Sequence, residues 1–160
     1  SRESVTTETP PLNERYGMYQ EVFAFADTHD MSLAENYAEI CARLDVDSLI
    51  DWIILEGVFA NDDLTYGNVR FVRSTEDDGK WRVMFYDLDS ALYHADNCFD
   101  VLSPWSRSSR QVGKLIDRLL QNPDFRRSLL ARAGELIPTA FSNERFSFFT
   151  ASCKLGMAAS

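Results

Sequence analysis

The most informative pattern in the chain is the run SLIDWIILEGVFA at residues 48–60, which is apolar on nearly every side of a helical projection. A helix that is hydrophobic all round is a buried one. This segment is therefore expected to be the central helix of the fold, with Asp47 as its N-cap and Asn61 at its end. Before it, residues 13–27 have helix-forming composition rich in aromatics, and residues 28–30 break the pattern. Ser32 with Glu35 has the spacing of a capping box for a helix reaching about Leu44. Ala34, Tyr37, Ala38, Cys41 and Leu44 keep helical spacing along it.

After the apolar helix the period changes. Residues 69–73 and 81–86 read as two short strands, and Asp78-Gly79 in the polar linker between them signals a hairpin. Residues 94–110 lack periodicity and read as a loop. Val112, Leu115, Ile116, Leu119 and Leu120 predict an amphipathic helix. Asn122 then caps a further helix, with Pro123 in its first turn, running from about residue 124 to 137. Pro138 closes it, and Ser142 with residues 145–149 opens a last helical segment. Residues 1–11 are polar and contain proline, and they predict a frayed start. The fold class expected is α+β, mainly α-helical, as a single domain over residues 1–160.

Composition narrows the functions available. With 45% hydrophobic residues the chain can bury a core, and it holds no apolar run long enough to span a membrane. A net charge of −9 argues against generic binding to nucleic acid or anionic membranes. The charge is uneven: residues 1–100 carry 21 acidic and 7 basic residues, whereas 101–160 carry 4 and 9. Either the two halves pack with complementary faces, or Arg107 and Arg110 meet an anionic ligand. Three widely spaced cysteines (Cys41, Cys98, Cys153) and two histidines offer no zinc-site spacing. Cys41 falls on the apolar face of its helix and reads as a small core residue.

The chemistry concentrates between Asn61 and Asp89. Asp62, Asp63, Asn68, Asp87 and Asp89 all sit at the ends of elements. A hairpin brings its two ends together, so Asn68, just before the first strand, and Asp87, just after the second, are expected to be neighbours. Clustered carboxylates repel unless a cation or proton lies among them. Hard oxygen ligands suit Mg²⁺ or Mn²⁺, and Mg²⁺ commonly takes only one or two protein ligands, with water and phosphate completing its shell.

The spacing Asp63-x4-Asn68 is that of a kinase catalytic loop. The fuller strings DWIILEGVFANDDLTYGNVRFVR and GKWRVMFYDLDSAL resemble the CotH family of atypical kinases, named for spore-coat protein H. That family carries an N-x-D…N loop and a (W/Y)-D-x-D motif after a hairpin. The resemblance is strong over about residues 45–92 and weaker over 93–150. It implies a kinase-like large lobe, with Asp63 as the catalytic residue, Asn68 and Asp87 as metal and nucleotide ligands, and Asp89 as a supporting metal ligand. Asp62 occupies a variable position and is left out. The activity implied is phosphoryl transfer from ATP, with Mg²⁺ or Mn²⁺, to Ser or Thr of a protein substrate, with Ser-rich proteins as the class suggested, at a spore coat or cell surface.

Some parts of a kinase are missing from the sequence. The seven glycines are scattered, so no Gly-rich phosphate loop exists, and Lys80, Lys114 and Lys154 lack the strand context of a phosphate-binding lysine. The nucleotide lobe is expected upstream in a longer parent, and the chain alone is expected not to turn over. Two rival readings stand beside the kinase. One is a kinase-like binding, adhesion or coat-structural module without catalysis. The other is a glycosyltransferase using Asp87-Leu88-Asp89, which gives Asp63 and Asn68 no role and calls for an α/β nucleotide-binding half. Trp52, Trp81 and Tyr86 read as core residues. His94 and the Ser/Arg cluster at 106–110 read either as surface loop or as substrate contacts.

Overall fold

The computed structural model describes residues 2–6, 17–61, 68–74, 78–89, 91, 111–145 and 147. Their architecture is α+β and mainly helical, as the hydrophobic pattern predicts. In chain order they form β1 (Arg2–Thr6), a π-helical turn (Tyr19–Phe23), α1 (Ala24–Thr28), α2 (Ala34–Arg43), α3 (Val46–Phe59), β2 (Arg70–Ser74), β3 (Trp81–Met84), α4 (Gln111–Leu119) and α5 (Pro123–Thr139). The three strands make one antiparallel sheet in the order β1-β2-β3.

The apolar run does form the central helix. Leu49, Ile50, Trp52, Ile53 and Ile54 of α3 are buried, and α3 packs against both β3 and α5. The rest of the core comes from the π-helical turn and α1 (Val22, Phe23, Ala26), from the hairpin (Phe71, Trp81), and from Val112, Leu115, Ile116 and Leu119 of α4. Cys41 is half-buried against this core, where burial pushes its thiol up.

The hairpin turn follows its sequence signal. Gly79 has φ 72, a left-handed value that glycine adopts at little cost. The Asp78 Oδ1 accepts from the Lys80 backbone N–H at 3.0 Å. Asn122 is the N-cap of α5: its Oδ1 accepts from the N–H groups of Asp124 and Phe125, and its Nδ2 donates to the Met31 carbonyl at 2.9 Å. Pro138 lies inside the last turn of α5 rather than beyond it.

Several expectations need correction. Part of the frayed start is a strand, since Arg2–Thr6 pairs with β2 along its whole length. The described part of residues 13–27 is helical, as its composition suggests, but passes through a π-helical turn before α1. The capping box does not form. The Asp30 carboxylate takes both the Ser32 N–H, at 2.9 Å, and the Ser32 hydroxyl, at 2.6 Å, and the helix starts after Leu33. The strand read over 81–86 stops at Met84.

The cap of α3 is Asp45 rather than Asp47. The Asp45 Oδ1 accepts from the Ser48 N–H at 3.0 Å, and its Oδ2 accepts from Arg82 Nε at 2.9 Å. Two further bonds join the start of α3 to β3. The Asp45 N–H donates to the Trp81 carbonyl at 2.8 Å, and the Val83 N–H donates to Ser48 Oγ at 3.3 Å. Asp45→Ala is therefore expected to cost about 1–2 kcal/mol in urea denaturation. The partly exposed ion pair with Arg82 adds little to that. Asp47→Ala, a change at an exposed position, is expected to stay within about 0.5 kcal/mol. Equal losses from the two changes would contradict this assignment of the cap.

Candidate metal and phosphate site

The last turn of α3 delivers the chain to the site. Ala60 follows the helix with φ 48 and ψ 45, the left-handed conformation that ends many helices. The Asn61 N–H reaches back to the Glu56 carbonyl at 3.2 Å, the long bond of a Schellman-type ending. Asn61 is thereby turned inward and is fully buried.

There the Asn61 amide lies between two elements. Its Nδ2 donates to Glu56 Oε2 at 2.9 Å and to the Asp87 backbone carbonyl at 3.4 Å. The two contacts join the end of α3 to the segment that leaves β3. Asp87 itself has φ 60, a left-handed value at a residue that is not glycine. Asp87, Leu88 and Asp89 are exposed, and the Ala91 N–H closes a turn onto the Leu88 carbonyl at 3.1 Å.

The hairpin register places the other ligand candidate. Arg70 pairs with Met84. Continuing that antiparallel register past the ladder sets Asn68 opposite Tyr86, one residue from Asp87. Asn68 is half-buried. Beside it the Arg70 guanidinium lies 4.4 Å from the centre of the Tyr86 ring. Tyr86, expected in the core, is instead 43% exposed, and Met84 and Phe85 are equally open. Trp52 and Trp81 are fully buried, as expected of core residues.

Asp62 and Asp63, the loop at 94–110 with His94 and the Ser/Arg cluster, and Cys98 and Cys153 lie outside the described residues. Among the described residues no group of three or more His, Cys, Asp or Glu side chains converges as a metal cage. The residues whose chemistry would suit a metal ion are the half-buried carboxamide Asn68 and the exposed carboxylates Asp87 and Asp89, hard oxygen donors of the kind that bind an ion completing its shell with phosphate and water.

Glu56 went unnoticed in the sequence. It is fully buried, and burial pushes its carboxyl up to about 7, against the opposing effect of the Asn61 and Trp52 donors. Its Oε1 and the Oδ1 of Asn61 have no hydrogen-bond partner among the described residues. The signal available was a lone carboxylate in the last turn of this helix, after the apolar run Trp52–Leu55 and five residues before Asn61.

No curated protein and no solved structure matches the chain. A family model described as CotH kinase protein matches residues 4–148, which include the end of α3, the hairpin and the segment after it. With most of its length under that match, the chain belongs to the CotH kinase family.

Proposed function

We propose that this chain is the large lobe of an atypical protein kinase that transfers phosphate from ATP to Ser or Thr hydroxyls of a protein substrate. The observation that carries the reading is the contact between Asn61 and the Asp87 carbonyl. It joins Asn61 at the end of α3, two residues before Asp63 in the chain, to the Asp87–Asp89 segment, which supports a shared site. In this reading Asp63 orients or deprotonates the substrate hydroxyl. Asn68 and Asp87 hold Mg²⁺ or Mn²⁺, and Asp89 supports them. The bound ion supplies charge neutralisation at the β- and γ-phosphates. The chain's own contribution is to position the hydroxyl and the phosphates in line. The nucleotide lobe belongs to a longer parent, and Ser-rich coat or surface proteins are the substrate class that the family suggests.

The test uses the longer parent protein with ATP and Mg²⁺ or Mn²⁺. Phosphate incorporation into a Ser-rich protein is expected for the wild type, and a loss of at least about a thousandfold for Asp63→Ala and for Asp87→Ala. Retained incorporation in both variants would rule the assignment out. Exposed Met84, Phe85, Tyr86 and Leu88 support a second reading, a binding module on the same scaffold. That reading expects no phosphate incorporation by the wild type, and partner binding that survives Asp87→Ala.

A further inference from the structure

Glu56 is a buried ionisable group that the proposed chemistry leaves without a task. A buried carboxylate weakens a fold unless it is well partnered, and an apolar side chain at this helical position would avoid that cost. The partner Glu56 does have is specific. Its Oε2 receives one N–H of the Asn61 amide, and the same nitrogen donates to the Asp87 carbonyl. An amide nitrogen carries two hydrogens, so one side chain can serve both acceptors. The acceptor on Glu56 fixes which end of the amide faces Asp87. A reversed amide would set its oxygen against the Asp87 carbonyl oxygen and its nitrogen away from both acceptors.

The element being held is itself strained. A non-glycine residue with φ 60 is strained relative to ordinary backbone, although Asp tolerates it better than most. That conformation sets the direction in which the Asp87 side chain leaves the backbone. A contact on the carbonyl of the strained residue is well placed to maintain it.

We propose that Glu56 is a positioning residue, acting through the Asn61 amide to hold the Asp87 peptide in its left-handed conformation. For its effect on turnover the inference rests on the phosphotransfer reading, but the conformation it describes does not. Outer partners of metal ligands commonly change metal affinity or activity by about 10- to 100-fold when removed, and a loss of that size is expected here.

The experiment compares wild type, Glu56→Leu and Glu56→Gln in this 160-residue chain. Gln keeps an oxygen that accepts from Asn61, whereas Leu has none. The Asp87 backbone signals are followed by NMR, together with its amide exchange, and turnover is measured with the same changes in the longer parent. Glu56→Leu is expected to shift the Asp87 signals and to speed its amide exchange at least about tenfold. Glu56→Gln is expected to hold the Asp87 signals near their wild-type positions. In the parent, the Leu change is expected to lower kcat by about 10- to 100-fold, and the Gln change to recover most of that loss. Unchanged Asp87 signals in the folded Glu56→Leu variant would overturn the inference, as would an equal disturbance by both changes. If the signals respond as expected and the wild-type parent transfers no phosphate, the positioning role stands and the kinase reading fails.

Discussion

Trp81→Ala is expected to remove about 4 kcal/mol of stability, within the range of about 3–5 kcal/mol for deleting a large buried aromatic. Trp81 is fully buried and is held from every side. Its Nε1 donates to Glu21 Oε2 at 3.0 Å, and the Arg73 guanidinium lies 4.6 Å from the ring centre. Gly17 faces the ring so closely that a Cβ there would sit 3.0 Å from it. The cavity would open between the π-helical turn and the hairpin, which the Arg73–Glu21 ion pair joins at 2.7 Å. Loss of the indole donor adds little, because Glu21 is partly exposed and keeps Arg73. Small domains have about 5–15 kcal/mol in total, so this one change would consume a large share. Urea denaturation measures it, and a loss below about 1 kcal/mol would be incompatible with a packed Trp81.

The second large effect depends on pH. Burial raises the Glu56 carboxyl from an ordinary 4.5 to about 7 in the folded chain. Between those values the folded state keeps a proton that the unfolded state has released. Stability therefore falls as pH rises through this window and levels off above about 7. Among the described residues, the groups acting on the carboxyl besides its burial are the neutral side chains of Asn61 and Trp52. The full shift corresponds to about 3 kcal/mol, most of which falls between pH 5 and pH 8. Because Gln cannot ionise, the wild type should lose about 2–3 kcal/mol more than Glu56→Gln over that interval. Parallel stability curves for the two proteins, measured by denaturation at several pH values, would show that the Glu56 carboxyl is not raised.

Periodicity made most of the scaffold legible. The buried helix, the amphipathic α4, the Asn122-Pro123 start of α5 and the Asp78-Gly79 turn each rest on a local rule that no distant contact opposed. The failures share a different cause. Asp45 and Asp47 flank Val46 and look equivalent in the sequence, and it is Arg82 on β3 together with the Trp81 carbonyl that selects Asp45. Ser32 and Glu35 have capping-box spacing, but Asp30 competes for the serine at closer range in the chain. At the site, the closeness of Asn68 to the Asp87 segment was readable because a hairpin must bring its ends together, whereas Asp63 lies outside the described residues. Glu56 was not readable in that way. Its significance depends on Asn61 turning inward behind a left-handed alanine, which no periodic pattern records.

The stitch between α3 and β3 also bears on how this protein avoids sticking to itself. An edge strand offers unpaired N–H and C=O groups to any passing chain, and such edges are templates for aggregation. On the outer side of β3, the Trp81 carbonyl is taken by Asp45 and the Val83 N–H by Ser48, with a parallel bridge from Leu44 to Trp81 alongside. A foreign strand could not extend the sheet at residues 81–83 without first unwinding the start of α3. The helix cap that sets where α3 begins thus also closes the sheet on that side, guarding the strand that leads directly into Asp87.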